Sequence, residues 1–310
     1  MNFEARAASA LRALHAGLTL AGFLVLTFAA LPFQWVLVAL GSPAARRLPH
    51  WYHRRVCGLF GVRVHTAGRV VADRPVLIVS NHISWLDIMV LSSVAPLSFI
   101  AKSEVGTWPF VALLARLQRT IFIERGRRTS VRETSGEIIA RLAGGDNVVL
   151  FAEGTSSDGN RVLAFQSSLF AAARPGRRED PAAHPEAARI TVQTLALAYT
   201  RRDGLPIGRV GRPAIAWYGD MELAGHAWEL LKGARLDAHI IIGEPVPLDR
   251  FKDRKELARH TEGEVRANFT TLLRCGGFAT SASMLPESTD PRREDAANPN
   301  EVLDVGRRRE

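Results

Sequence analysis

A histidine and a carboxylate stand five residues apart in Asn81-His82-Ile83-Ser84-Trp85-Leu86-Asp87, directly after the apolar run Val76–Ser80. A neutral imidazole can take a proton from a hydroxyl as that oxygen attacks a carbonyl. A carboxylate on the other ring nitrogen fixes the tautomer and steadies the imidazolium. On a regular helix five residues separate side chains by about 140°, so the two meet only if His82 lies in a turn and Asp87 in the first turns of the following helix. Alone, a His near an Asp is more often structural than catalytic. Two further segments add to it. Phe122-Ile123-Glu124-Arg125 ends an apolar run in a cation, and Phe151-Ala152-Glu153-Gly154-Thr155 ends another in a carboxylate, a glycine and a hydroxyl. Arg125 suits bidentate binding of a phosphate or carboxylate, and Gly154 permits backbone N–H groups to approach an anion closely. Arg125 as a solvated charge, and Glu153 as a loop carboxylate or helix cap, remain alternatives at this level.

The elements that must position these groups read as an α/β domain: a mixed, largely parallel sheet covered by helices on both faces. Val76–Ser80 and Asn147–Ala152 are short apolar runs typical of strands buried on both sides. Leu97–Ala101, Thr120–Ile123, Ile190–Tyr199 and Leu236–Ile242 are further strand candidates. Arg132–Ala143 has helical periodicity and a stop at Gly144-Gly145. Leu163–Ala173 is expected to be helix, and Lys252–Arg274 a long amphipathic one. The stretch Arg174–Arg189 reads as an exposed insertion. From Gly276 the chain loses periodicity and carries five Arg against seven Asp and Glu, a disordered tail by composition. The expected division is an anchor at 1–48, one domain at 49–275 and the tail at 276–310.

Ala16 to Ala45 contains no charged residue and has basic flanks, Arg6 and Arg12 before it and Arg46, Arg47, Arg54 and Arg55 after it. An apolar run of about 18 residues or more reads as a membrane segment. Pro32 interrupts it, since proline removes a helix hydrogen bond and crowds the preceding turn. Two readings stand: a kinked span from Ala16 to Leu40, or a shallow hairpin, Leu11–Leu31 and Phe33–Leu40, with both ends cytosolic. A cleaved signal peptide fits poorly, as no small-residue site closes the segment.

With 310 residues, 47% of them hydrophobic, the chain can bury a sizeable core and is neither disordered nor multi-spanning. A net charge of +9 points to a polyanionic partner. Nucleic acid is disfavoured by the 7% aromatic content, the absence of any finger or RNA-recognition signature and the scatter of the basic residues. Two cysteines, Cys57 and Cys275, are too few for a disulfide framework or a cysteine-based zinc site.

The three polar segments, in this order and spacing, resemble the glycerolipid acyltransferase superfamily, most of all the 1-acylglycerol-3-phosphate acyltransferases. Asn81, His82 and Asp87 match its Asn-His-x-x-x-x-Asp block, Phe122, Ile123 and Arg125 its Phe-Ile-x-Arg block, and Phe151, Glu153, Gly154, Thr155 and Ser157 its Phe-Pro-Glu-Gly-Thr-Arg-Ser block. Ala101-Lys102-Ser103-Glu104 also has the family look, and the resemblance covers roughly residues 50–245. It implies an acyltransferase at the cytosolic face of the inner membrane, with His82 as base and Asp87 as its partner. Asn81, Lys102, Arg125, Glu153, Gly154 and Thr155 are then expected at the substrate. The implied reaction is direct attack of a lysolipid hydroxyl on an acyl thioester of acyl carrier protein or coenzyme A, with no other cofactor and no metal. The sequence has neither a Gly-x-Ser-x-Gly elbow nor a metal-spaced His/Cys cluster, in keeping with this. Ala152 and Ser156 depart from the family's Pro and Arg. Losing that Arg removes a phosphate ligand, and Ser-Ser-Asp-Gly resembles the branch containing the lyso-ornithine lipid acyltransferases. Lysophosphatidic acid is the first expectation for the acceptor and lyso-ornithine lipid the alternative. A non-catalytic lipid-binding protein of this fold is the remaining class.

Overall fold

In the computed structural model, residues 3–123, 128–171, 190–233 and 235–278 are described. The chain opens with α1 (Phe3–Ala39) and α2 (Ala44–Leu59), an antiparallel helical hairpin. Its pairs step down in register: Thr27 meets the Tyr52 hydroxyl at 2.7 Å, and Gln34 donates to the Ala45 carbonyl at 2.9 Å. The reversal is at Gly41, in the left-handed conformation at φ 60°. This corrects the hairpin expected to turn at Pro32: α1 runs through Pro32 without ending, as the single long helix of the other reading does, and the arm that folds back is the basic, amphipathic α2. Gln34 also donates to the Leu117 carbonyl at 2.7 Å, tying the hairpin to the α/β body. Among the described residues α1 is the one helix long and apolar enough to cross a membrane.

The remaining chain builds a sheet from β1 (Val62–Ala67), β2 (Val76–Ser80), β3 (Ser98–Lys102), β4 (Ile121–Ile123), β5 (Val148–Phe151), β6 (Thr191–Arg202), β7 (Leu205–Pro206), β8 (Leu236–Ile242) and β9 (Val246–Pro247). The order is β1-β8-β6-β2-β5-β3-β4, with β7 and β9 paired on β6. β8 runs antiparallel to β6, while β2 is parallel to both β5 and β6. Every residue of β2 is buried, as a central parallel strand covered on both faces requires. The helices are α3 (Leu86–Ser92), α4 (Pro109–Leu117), α5 (Arg128–Ala143), α6 (Leu223–Leu231) and α7 (Arg254–Cys275). Asp253 caps α7 by accepting from Lys255 N and Glu256 N at 2.7 and 2.8 Å, and Gly276 ends it in the left-handed conformation.

Register decides what the sheet can present. Ser80 stands opposite Phe151 on one side and Leu195 on the other. The chain leaving β2 into His82 and the chain leaving β5 into Glu153 therefore emerge together at the carboxyl edge. Lys102 pairs with Ile123 at the end of β3 and β4.

Two expectations need correction. Of the expected helix Leu163–Ala173, the described part, 163–171, is not helical beyond a single 3-10 turn at Leu169–Ala171, because Leu163, Phe165 and Gln166 are held from elsewhere in the body. Nor does the packed body stop at Cys275, for the Phe278 ring stands edge-on to His239 at 4.9 Å. The rest of the expected tail, 279–310, the whole expected insertion, 174–189, and the last two residues of the expected helix, 172–173, lie outside the described residues.

Candidate active site

His82 leaves β2 and turns, and Asp87 sits in the first turn of α3, the arrangement that their five-residue spacing demanded. His82 Nδ1 lies 2.7 Å from Asp87 Oδ2. The same carboxylate oxygen accepts Ile83 N at 2.6 Å and Ser84 N at 3.0 Å, while Oδ1 accepts the Tyr199 hydroxyl at 2.8 Å. Asp87 is fully buried. Four donors converge on it, so its charge is held in place before any substrate arrives. Because Asp87 faces Nδ1, the proton belongs there, and Nε2 keeps its lone pair. Nε2 has no hydrogen-bond partner among the described residues, and the side chain is 19% exposed. The imidazole face lies on Phe151 at 4.0 Å between ring centroids, and Phe151 stacks in turn on Phe99.

Glu153 has a different position from the one expected. Its Oε1 accepts His82 N at 2.9 Å and its Oε2 accepts Leu163 N at 2.8 Å, with the side chain buried. Burial pushes its carboxyl up to about 8, reinforced by the charge of Asp87 and opposed by those two N–H groups. Asn81 is also turned inward: its amide donates to the Leu197 carbonyl and accepts Leu197 N, both at 2.9 Å. It clamps β2 to β6 just before the base. These two side chains, expected at the substrate, hold the backbone around His82 because their strands meet at the register described above.

Gly154 adopts φ 71°, and its N–H closes a turn onto the Phe151 carbonyl at 3.1 Å. Thr155 and Lys102 are exposed at the same edge. Arg125 lies outside the described residues. Ser156, standing where the resemblance has Arg, donates its hydroxyl to the Trp217 carbonyl, and Trp217 N donates to the Ile83 carbonyl at 2.9 Å. Ser157 N donates to the His82 carbonyl, also at 2.9 Å.

Tyr199 was not legible as a site residue. It lies 112 residues from Asp87 in sequence, inside an apolar strand, and a lone tyrosine there signals nothing. Burial and the Asp87 charge raise its hydroxyl well above the ordinary value, so it serves as a donor. Among the described residues no group of three or more His, Cys, Asp or Glu is arranged to hold a metal ion. The His82–Asp87 pair offers an imidazole oriented by a buried carboxylate that can stabilise its protonated form, which suits activation of a hydroxyl.

The acyltransferase family profile matches residues 61–196. The lyso-ornithine lipid O-acyltransferase of Brucella abortus is 46% identical over 256 residues, covering 83% of this chain and 94% of that protein. The 1-acyl-sn-glycerol-3-phosphate acyltransferase of Neisseria meningitidis is 30% identical over 202 residues, covering 64% and 72%. Among solved structures, the 1-acyl-sn-glycerophosphate acyltransferase of Thermotoga maritima aligns with a TM-score of 0.57 at 21% identity, covering 85% of this chain and 97% of that one, a likeness of fold. Identity sustained over almost the whole length of a relative, around a His–Asp pair at the carboxyl edge of the sheet, means that the chain belongs to the acyltransferase family.

Proposed function

We propose that the protein is a lyso-ornithine lipid O-acyltransferase acting at a membrane surface. The observation that carries this is the 46% identity to the Brucella lyso-ornithine enzyme over 94% of its length, against 30% over 72% for the Neisseria glycerophosphate enzyme. It favours the alternative acceptor over lysophosphatidic acid, the first expectation. Ser156 agrees, since its side chain turns into the Trp217 carbonyl and supplies no cation for a phosphomonoester.

In this reading His82 Nε2 takes the proton of the acceptor hydroxyl as its oxygen attacks the thioester carbonyl. The tetrahedral adduct then collapses, the carbon–sulfur bond breaks, and the imidazolium returns its proton to the departing thiolate. The products are an ester and a free thiol. Asp87 stabilises the imidazolium between the two steps, and Tyr199 and the Ile83 and Ser84 N–H groups keep Asp87 fixed. The donor is a thioester of acyl carrier protein or coenzyme A.

The hairpin supports anchoring in one leaflet. Leu14, Leu18, Val25, Phe28 and Trp35 of α1 are exposed, and so are Phe110 and Leu113 of α4. The Phe28 and Phe110 rings approach to 6.5 Å, which joins the two apolar surfaces. Thr27 holds α1 to α2 and Gln34 holds it to the end of α4, contacts that favour a helix lying against the protein at the membrane surface. The test is acyl transfer from each radiolabelled thioester to lyso-ornithine lipid and to lysophosphatidic acid in parallel. Faster acylation of lysophosphatidic acid would refute the acceptor assignment.

A further inference from the structure

We propose that Arg212 and Asp158 bind the two charges of the acceptor's head group, the guanidinium taking a carboxylate and the Asp158 carboxylate taking an ammonium. The proposal rests on the lyso-ornithine reading, since an ornithine acylated on one nitrogen keeps one carboxylate and one ammonium. Arg212 comes from the segment that returns from β7 towards α6, far in sequence from the three motif blocks. Its Nη1 donates to Asn160 Oδ1 at 3.1 Å. Its Nε is buried and has no hydrogen-bond partner among the described residues. A guanidinium with donors unspent is costly to bury and suited to a bidentate anion. Asn160 is itself held by Asp158, whose oxygens accept Asn160 N at 3.0 Å and Nδ2 at 3.2 Å. Asn160 thus stands between the two charges and holds them apart instead of letting them close into an ion pair.

The cluster borders the loop that carries the base. Gly159, at φ 76°, separates it from the His82 loop: a Cβ there would lie 3.4 Å from Ile83 Cγ2 and 3.5 Å from Arg212 Cβ. Ser157, one residue before Asp158, donates through its N–H to the His82 carbonyl. The same loop carries Ser156 turned away, so the position that holds a cation in the glycerophosphate pattern contributes none here. Arg212 restores a cation from a different direction, and Asp158 adds the carboxylate that a phosphomonoester would repel. Although burial raises the Asp158 carboxyl, the Asn160 hydrogen bonds and the Arg161 charge outweigh it and keep the group ionised.

The experiment uses the full-length protein with synthetic lyso-ornithine lipid, its carboxyl methyl ester and its N-acetylated form, in mixed micelles. Wild type should show a KM for the methyl ester and for the N-acetyl form about tenfold or more above that of the zwitterion. Arg212→Met should raise KM for the zwitterion by about the same factor, leave the methyl ester within about twofold, and be partly rescued by Arg212→Lys. Asp158→Asn should show the mirror pattern with the N-acetyl form. Turnover of the modified acceptors is the internal control for folding. Should wild type fail to acylate lyso-ornithine lipid at all, the functional reading falls and takes this assignment with it. Should wild type acylate it but treat zwitterion and methyl ester alike, or Arg212→Met lose equally on both, Arg212 is not the carboxylate ligand and the acyltransferase reading stands without it.

Discussion

Replacing Asp87 by Asn tests whether the buried charge, apart from its geometry, drives the reaction. The surrounding donors dictate how the amide must sit. Ile83 N and Ser84 N both point at the Oδ2 position, so an amide NH2 placed there would oppose two N–H groups. The amide oxygen therefore takes that position and still accepts from His82 Nδ1, and the NH2 turns to Tyr199, whose hydroxyl can reverse and accept. The tautomer and the fold are kept, and what is lost is one negative charge beside the imidazolium. Opposite charges with centres about 4 Å apart attract by about 4 kcal/mol at an effective dielectric of about 20. Since the imidazolium forms only as the hydroxyl is deprotonated, the loss falls on the transition state, about a thousandfold in kcat. Single-turnover acyl transfer under saturating donor and acceptor measures it, with thermal unfolding as the control. A loss below about tenfold with an unchanged melting temperature would refute the argument, because proton transfer to His82 would then contribute little to the barrier.

Three further outcomes are expected. Tyr199→Phe removes one charge-assisted hydrogen bond from Asp87, worth about 1.5–3 kcal/mol, and should lower kcat about tenfold to a hundredfold while membrane binding is unchanged; an unaltered kcat would show that Tyr199 is not part of the relay. Glu153, with its carboxyl raised by burial from 4.5 to about 8, binds more proton folded than unfolded between those values. Its contribution to stability is greatest below pH 4.5 and falls as pH rises to about 8. Against Glu153→Gln, wild type should lose relative melting temperature across that window, and parallel curves would contradict the shift. For the anchor, single cysteines at residue 2 and residue 60, in a background with Cys57 and Cys275 replaced by Ser, should both react with a membrane-impermeant thiol reagent from the cytosolic side. Labelling from opposite sides would establish a full span instead.

Much of this molecule is written locally. β2 and β5 are buried on both faces, so they appear as uninterrupted Val, Leu, Ile and Phe runs, and His82, Asp87, Glu153 and Arg125 announce themselves by standing just past such runs. Spacing alone required His82 to precede a helix and Asp87 to begin one, which is how they lie. Other features depend on partners far away in the chain. Proline in α1 reads as a break, yet Thr27 and Gln34 hold the helix against α2 and α4, and packing outweighs the lost hydrogen bond. Residues 163–171 have helix-forming side chains, but the N–H groups of Leu163 and Phe165 are taken by Glu153 and Glu262. Asn81 and Glu153 sit in motif positions that suggest contact with substrate, and only the alignment of β2 with β5 and β6 turns them onto the Leu197, His82 and Leu163 backbone. Tyr199 and Arg212 carry no local signal at all. A residue's type and period encode the element it forms. Which charges meet across that element depends on sheet register and on chain returns of about a hundred residues or more, and these exist only once the tertiary fold has formed.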